Sequence, residues 1–193
     1  MKKTSKNLFL KEGTQIMHLR GFTNTGIQDI LDKAGVSRGA FYSFFKSKDG
    51  FGLQVIDYYT GIFSQITAQF FEDKSRPPLE RIRQLFLWFV EYFKSMGYTR
   101  GCLLGNFAQE MVDLNPAFRE RINVSFDSLA GQFESVLQEA KDSGALSHSM
   151  NIHDAVQFII SSWEGALILM KVRRSTDPLE THMRFIFEYI LKG

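Results

Sequence analysis

Residues 27–48 read IQDILDKAGVSRGAFYSFFKSK, and the fold is decided by their middle. Ile27, Ile30, Leu31 and Ala34 recur at three- and four-residue steps, which makes the first half an amphipathic helix. Gly35 closes that helix, because glycine readily takes the left-handed conformation a helix end asks for. Val36 is apolar and fills the angle of the turn. Ser37 is a capping residue and opens a new helix to about Phe45. Two short helices joined by a brief glycine-containing turn form a helix-turn-helix. Phe41 and Phe45 anchor the second helix, and Ala40 lets the first come close. Ser37, Arg38, Gly39, Tyr42 and Phe44 are left on the other face.

That face carries chemistry suited to a nucleic acid. An arginine can fork onto guanine O6 and N7 or grip a phosphate, and a tyrosine offers a hydroxyl and a ring. Gly39 lets a partner approach the backbone. Thr25 and Lys48 fall at helix starts, where N–H groups and the helix dipole favour phosphate. The expected partner is double-stranded DNA. The same spacing also fits a plain helical hairpin with Tyr42 half-buried and Arg38 solvated.

Working outward, the chain reads as all-α, in two domains: a helix-turn-helix head over 1–48 and a helical body over 49–193. Residues 5–20 put Phe9, Gly13, Ile16 and Met17 on one helix face. Thr25, with Gln28 three residues on, has the form of a capping box. Ser47 caps a long helix ended by KSRPP, and Ile82, Leu85, Phe86, Phe89 and Phe93 mark the next as core-facing. Asn115-Pro116 opens another, with Phe118, Ile122, Phe126, Leu129, Phe133 and Leu137 inward. The last two, near 153–174 and 178–192, are apolar around most of their circumference and need cover on more than one side. Pairing with a second copy supplies it. An isolated subunit is then expected to expose Phe158, Ile159, Trp163, Phe185 or Ile186, with Leu167 near the interface centre.

Composition narrows the classes. At 193 residues and 44% hydrophobic, the chain has enough apolar material for a real core. Residues 1–50 hold nine Lys or Arg against four Asp or Glu, net +5, while the rest is −3, so a polyanionic partner is expected at one end only. No continuous apolar run approaches the roughly 20 residues of a bilayer crossing, and no membrane partner or signal peptide is expected. The single cysteine, Cys102, excludes an internal disulfide framework and suits a reducing cytoplasm. His18, His148, His153 and His182 lack metal-ligand spacing, and no Glu-x-x-His motif, phosphate loop or nucleophile motif occurs. No cofactor, metal or catalytic residue is expected. His18 and His182 read as surface or interface residues. A helical-bundle enzyme or a helical adaptor remains the alternative class, although an adaptor does not explain the basic head.

GFTNTGIQDILDKAGVSRGAFYSFFKSKDGF resembles the DNA-binding head of the TetR family of bacterial transcriptional regulators, over nearly all of residues 8–55. The resemblance implies a homodimer formed by the last two helices, a palindromic operator and release by an effector. Carried over by position, it implies DNA contacts at Thr25, Ser37, Arg38, Gly39, Tyr42, Phe44 and Lys48. Phe44 stands where a histidine is common, and a phenyl ring cannot bond a phosphate. Gly13 and Gly26 stand where alanine and a polar residue are more usual, which implies slightly weaker head helices. In the body, GCLLGNFAQEMVDLNPAFRERI and WEGALILMKVRRSTDPLE resemble a subgroup that includes repressors responding to reactive electrophiles and oxidants, such as the N-ethylmaleimide-responsive repressors. That likeness implies a sensing thiol at Cys102 and an assisting lysine at Lys171. Two alternatives stand beside it: Cys102 packing as a small core residue, and a non-covalent apolar effector in a candidate pocket of Phe89, Phe93, Phe107, Phe126 and Trp163.

Overall fold

The computed structural model describes residues 2–192, with side chains over 6–192; the side chains of Lys2 and Lys3, counted in the basic segment, lie outside the described residues. These fold into nine α-helices and no strand: α1 Lys2–Arg20, α2 Ile27–Ala34, α3 Arg38–Phe44, α4 Lys48–Phe71, α5 Pro78–Ser95, α6 Leu103–Met111, α7 Pro116–Asp142, α8 Ile152–Arg173 and α9 Asp177–Phe185. The last runs on as a π-helical turn over Ile186–Ile190.

Local chemistry sets most of the starts. Ser37 Oγ accepts the Ala40 N–H at 3.3 Å, Ser47 Oγ that of Gly50 at 3.0 Å, and Asn115 Oδ1 that of Ala117 at 3.0 Å. Gly35 ends α2 at φ 64°, its N–H on the Leu31 carbonyl. The start of α2 departs from expectation. Gly26 is the cap residue, and the Asp29 carboxylate, not Gln28, reaches back to accept the Gly26 N–H at 2.7 Å. Thr25 is instead fully buried, its hydroxyl donating to the Gly21 carbonyl at 2.7 Å. A buried hydroxyl must find an acceptor, and this carbonyl at the end of α1 supplies it.

Two compact units form. One holds the chain up to Phe63 together with Cys102–Ser125; the other holds Ser64–Gly101 and the chain from Phe126 on. The first therefore takes in the whole of α6 and the start of α7. Its centre is a ring cluster: Phe45 and Phe51 at 4.7 Å between centroids, Phe41 and Phe51 at 5.3 Å, Phe9 and Phe41 at 5.6 Å. A Cβ on Gly13 would come within 2.3 Å of the Phe51 ring. The glycine expected to weaken α1 is what admits Phe51. A second cluster joins Phe22 to Phe118 at 4.9 Å and to Phe107 at 5.6 Å.

The second unit is threaded by rings in series, Phe71 on Phe133, Phe133 on Phe86, and Phe86 on Trp163 at 4.7 Å. His182 ends the series, 5.1 Å from Trp163, and is buried rather than at the surface. Burial pushes its imidazole down to about 4, so it packs as a neutral ring. His18 is buried too, its ring 5.5 Å from that of Tyr59 in the first unit. Aromatic rings pack against both histidines.

Arg81, on α5, has a side chain with no exposure at all. Its guanidinium donates to the Phe71 carbonyl at the end of α4 and lies 2.5 Å from the Glu139 carboxylate of α7. Glu139 also accepts Lys74 at 2.6 Å and remains partly exposed. Hydrogen bonds from Lys74 first, then Arg81, hold the Glu139 carboxyl below its ordinary range. A depressed carboxyl stabilises the fold above the ordinary carboxylate range and loses that contribution as pH falls through its folded value. Glu139→Gln leaves the buried guanidinium without an anion, whereas Arg81→Met removes the charge and keeps the volume. Glu139→Gln is therefore expected to lower the thermal midpoint more than Arg81→Met. Its deficit against the native chain, followed by circular dichroism, should shrink as pH drops below the carboxylate range.

Candidate nucleic-acid interface

The outer face of α3 is built by what the inner face buries. Phe41 and Phe45 are almost wholly inaccessible, and their burial turns Ser37, Arg38, Gly39 and Tyr42 outward. Tyr42 is 47% exposed, its ring edge-on to Phe41 at 5.4 Å. Arg38 Nη2 donates to Gln28 Oε1 at 3.1 Å, and Gln28 Nε2 to Asp32 Oδ1 at 2.7 Å. This relay leans the guanidinium along α2 while using one of its five N–H donors. A Cβ on Gly39 would meet nothing within 4 Å. No packing within the chain requires a glycine there.

The other three residues expected on this face are placed differently. Thr25 is buried and spends its hydroxyl on Gly21, so its side chain does not reach an outside partner. Phe44 is half-buried and leans on the Phe9 ring at 6.2 Å, as an apolar ring should. Lys48 is half-buried; its Nζ donates to the Thr23 carbonyl at 3.2 Å and lies 4.6 Å over the Phe22 ring. Burial pulls the Lys48 ammonium below the ordinary lysine value, against the attraction of Asp49, Glu110 and Asp29. Its charge is committed inward. Ser37, Arg38, Gly39 and Tyr42 are the four that share one exposed surface.

In the body, Cys102 is partly exposed and caps α6, its Sγ accepting the Gly105 N–H at 3.5 Å. It belongs to the first unit. Lys171 belongs to the second, where its Cδ would lie 3.2 Å from a Cβ on Gly101. Gly101 ends a turn in which Gly97, Tyr98 and Arg100 also have positive φ, and Arg174 Nη1 donates to the Gly97 and Tyr98 carbonyls at 3.1 and 3.3 Å. Of the candidate pocket, Phe89 packs on Phe93 at 6.1 Å and on Trp163 at 6.4 Å, and Phe126 is half-buried. Phe107 sits in the first unit between Phe22 and Phe118. A groove of about 370 Å³ runs instead along α8 and α9, lined by Phe158, Leu169, Phe185 and the ring of His182, and none of the five pocket residues lines it.

Two features were not legible beforehand. Glu110, on α6, accepts the Phe22 N–H at 3.2 Å and the Thr23 N–H at 2.8 Å, and the Thr23 hydroxyl as well. An acid on an amphipathic helix gives no signal of such a task. The outward side of α8 and α9 also differs from expectation. Phe158, Ile168, Leu169, Val172, Phe185 and Tyr189 are exposed, while Ile159, Leu167 and Ile186 are buried. By length and composition α8 is long and apolar enough to cross a membrane, with a third of its apolar window buried. Gln157, Ser161, Ser162 and Glu164 interrupt it, so it has no unbroken apolar run.

Comparison with known proteins covers both ends of the chain. The family described as "Bacterial regulatory proteins, tetR family" matches residues 9–55, and "Tetracyclin repressor-like, C-terminal domain" matches 78–186. The chain is 30% identical over 182 residues to the HTH-type transcriptional repressor DhaR of Mycobacterium sp. strain GP1, across 94% of this chain and 90% of that one. The crystal structure of a regulatory protein TetR from Rhodobacter sphaeroides superposes with a TM-score of 0.90 at 30% identity, covering 95% of this chain and 97% of the other. Reduced NemR of E. coli shares the fold, with a TM-score of 0.89 at 24% identity over 96% of each chain.

If α3 lies against a duplex, Arg38→Ala and Tyr42→Ala should each weaken binding, by about 1–3 kcal/mol where a base edge is touched. Gly39→Ala should also weaken it, through the added methyl at a close backbone approach. The same change replaces a helical glycine in open space, so melting should hold or rise, by about 1 kcal/mol at most. Fluorescence anisotropy on a selected duplex, beside thermal melting, reads both. Native affinity in all three variants would remove α3 from the interface.

Proposed function

The chain belongs to the TetR family of bacterial regulatory proteins, and on that premise we propose that it is a repressor that binds a palindromic operator as a homodimer and releases it when an effector engages the body. Members of the family are DNA-binding transcription regulators, which act in the cytoplasm. The observation that carries the reading is the α3 face. Ser37, Arg38 and Tyr42 surround a glycine whose missing side chain has no explanation inside the chain. Two such helices in one dimer would enter successive major grooves, about 34 Å apart. Repression is the direction supported by the likeness to DhaR, a transcriptional repressor.

Dimerisation follows from the exposed apolar side of α8 and α9. Phe158 is 50% and Phe185 52% exposed, on either side of the α8–α9 groove. A matching surface on a second copy removes them from water, and a two-fold contact of identical patches closes on itself. Leu167, expected at the interface centre, is 3% exposed and faces its own core. Phe185→Glu or Phe158→Glu should therefore give folded monomers by light scattering, with cooperative operator binding lost. Leu167→Glu should instead unfold the subunit. A native protein that scatters as a monomer at micromolar concentration would end the dimer reading.

For the effector, a reactive electrophile or oxidant acting on Cys102 is the favoured chemistry. Cys102 is partly exposed and sits at the start of α6, where N–H groups and the helix dipole favour an anion. Adding a group to the sulfur also crowds the position from which it accepts the Gly105 N–H at the helix start. Lys171, beside Gly101, is the assisting cation. The alternative is a non-covalent apolar effector among Phe89, Phe93 and Trp163. N-ethylmaleimide is expected to release a selected operator from the native protein and leave Cys102→Ser bound, with Lys171→Ala slower to respond. Equal release from Cys102→Ser would reject the thiol and leave the apolar effector.

A further inference from the structure

We propose that Glu110 is a positioning residue for DNA reading: from α6 it fixes the loop between α1 and α2, and through it the placement of α2 and α3. The role rests on α3 being the duplex-contacting helix.

Three donors of that loop meet one carboxylate. Phe22 N–H goes to Oε1 at 3.2 Å, Thr23 N–H to Oε2 at 2.8 Å, and the Thr23 hydroxyl to the same Oε2. Bonds to an ionised acceptor are roughly twice as strong as neutral ones. Gly21, which ends α1 at φ +86°, lies against the same group: a Cβ there would fall 2.3 Å from Oε1, so the carboxylate would have to move. The ordinary use of a glutamate on an amphipathic helix, a solvated charge, needs neither a glycine at positive φ nor three donors in register.

Thr23 is the centre of the arrangement. Its N–H and hydroxyl go to Glu110, and its carbonyl accepts Lys48 Nζ, from the first turn of α4, at 3.2 Å. The other bonds of the segment are local: Thr25 Oγ1 to the Gly21 carbonyl and Asn24 Nδ2 to the Arg20 carbonyl. Those close the loop on itself. Glu110 and Lys48 tie it to other helices. Because α2 begins at Ile27, directly after the loop, its position sets where α2 and then α3 lie against α1.

The test uses the full chain and a duplex selected by the native protein from a random-sequence pool. Glu110→Gln keeps the shape and replaces an acceptor oxygen with an amide donor. Its affinity is expected to fall roughly tenfold, with exchange of the Phe22 and Thr23 amides accelerated and that of the α4 and α7 amides unchanged. The salt dependence should keep its slope, because no phosphate contact is removed. Thr23→Val should lose less, and the double variant no more than Glu110→Gln alone. Native affinity in Glu110→Gln would overturn the proposal. So would an affinity loss matched by faster exchange across the whole unit, the mark of general destabilisation. Failure of the native protein to select any duplex would refute the α3 reading, and this role with it; affinity lost only in Glu110→Gln would leave that reading intact.

Discussion

The outward face of α3 depends on the close approach of Gly13 to Phe51. Phe41 and Phe45 stay inward only because a four-ring cluster receives them, and Phe51 closes that cluster from α4. A glycine inside a helix costs about 1 kcal/mol against alanine. Removing a buried phenyl ring costs about 3–5 kcal/mol. The second figure wins, so a residue that weakens α1 taken alone strengthens the unit that contains it. The same logic holds at Gly52, where a Cβ would strike both Phe22 and Phe118. In this head, glycines make room for rings, and the rings aim the polar face.

The second unit solves a different problem. Its aromatic series leaves few polar groups inside, yet Arg81 and His182 are both there. Each is tolerated for its own reason. Arg81 keeps its charge, beside an anion that stays partly wet and a carbonyl that α4 leaves unpaired at its end. His182 gives its charge up, one ring nitrogen on the Ile159 carbonyl at 3.2 Å and its faces on Phe86 and Trp163. Burying a charge is costly unless it is paired, and burying a neutral imidazole costs less, the more so where a ring nitrogen finds a partner.

What could be read beforehand was what local chemistry decides. Ser37, Ser47 and Asn115 cap the helices they were expected to cap, because a side chain and an N–H two or three residues on need no help from the rest of the chain. Thr25 failed as a cap for a tertiary reason: its hydroxyl was drawn to Gly21, and Asp29 took over. Lys48 was legible as a cation and not as a half-buried one, since Phe22 and Thr23 reach it across the fold. For α8 the apolar character was legible and the outward side was not. A helix apolar around its circumference carries no period to say that Leu167 faces in while Ile168 and Leu169 face out. Glu110 was invisible, because its partners are backbone groups that leave no mark in the sequence.

The position of α6 gives these findings a common consequence. It is nine residues long, about 13 Å of rigid helix, with Cys102 as its cap and Glu110 in its last turn. Both lie in the same compact unit as α3. Under the proposed thiol reading, chemistry at the cap therefore need not be relayed through a soft loop. A modified sulfur that no longer accepts the Gly105 N–H shifts or frays the first turn, and Phe107, packed between Phe22 and Phe118, keeps the middle of α6 coupled to the ring cluster. Whatever displacement reaches Glu110 is delivered to three donors of a two-residue stretch, Phe22 and Thr23. Hydrogen bonds weaken steeply with misalignment, so a small shift at that carboxylate suffices to loosen the loop that positions α2. Under that reading, a short helix that grips the loop at one end and is modified at the other would connect effector and operator.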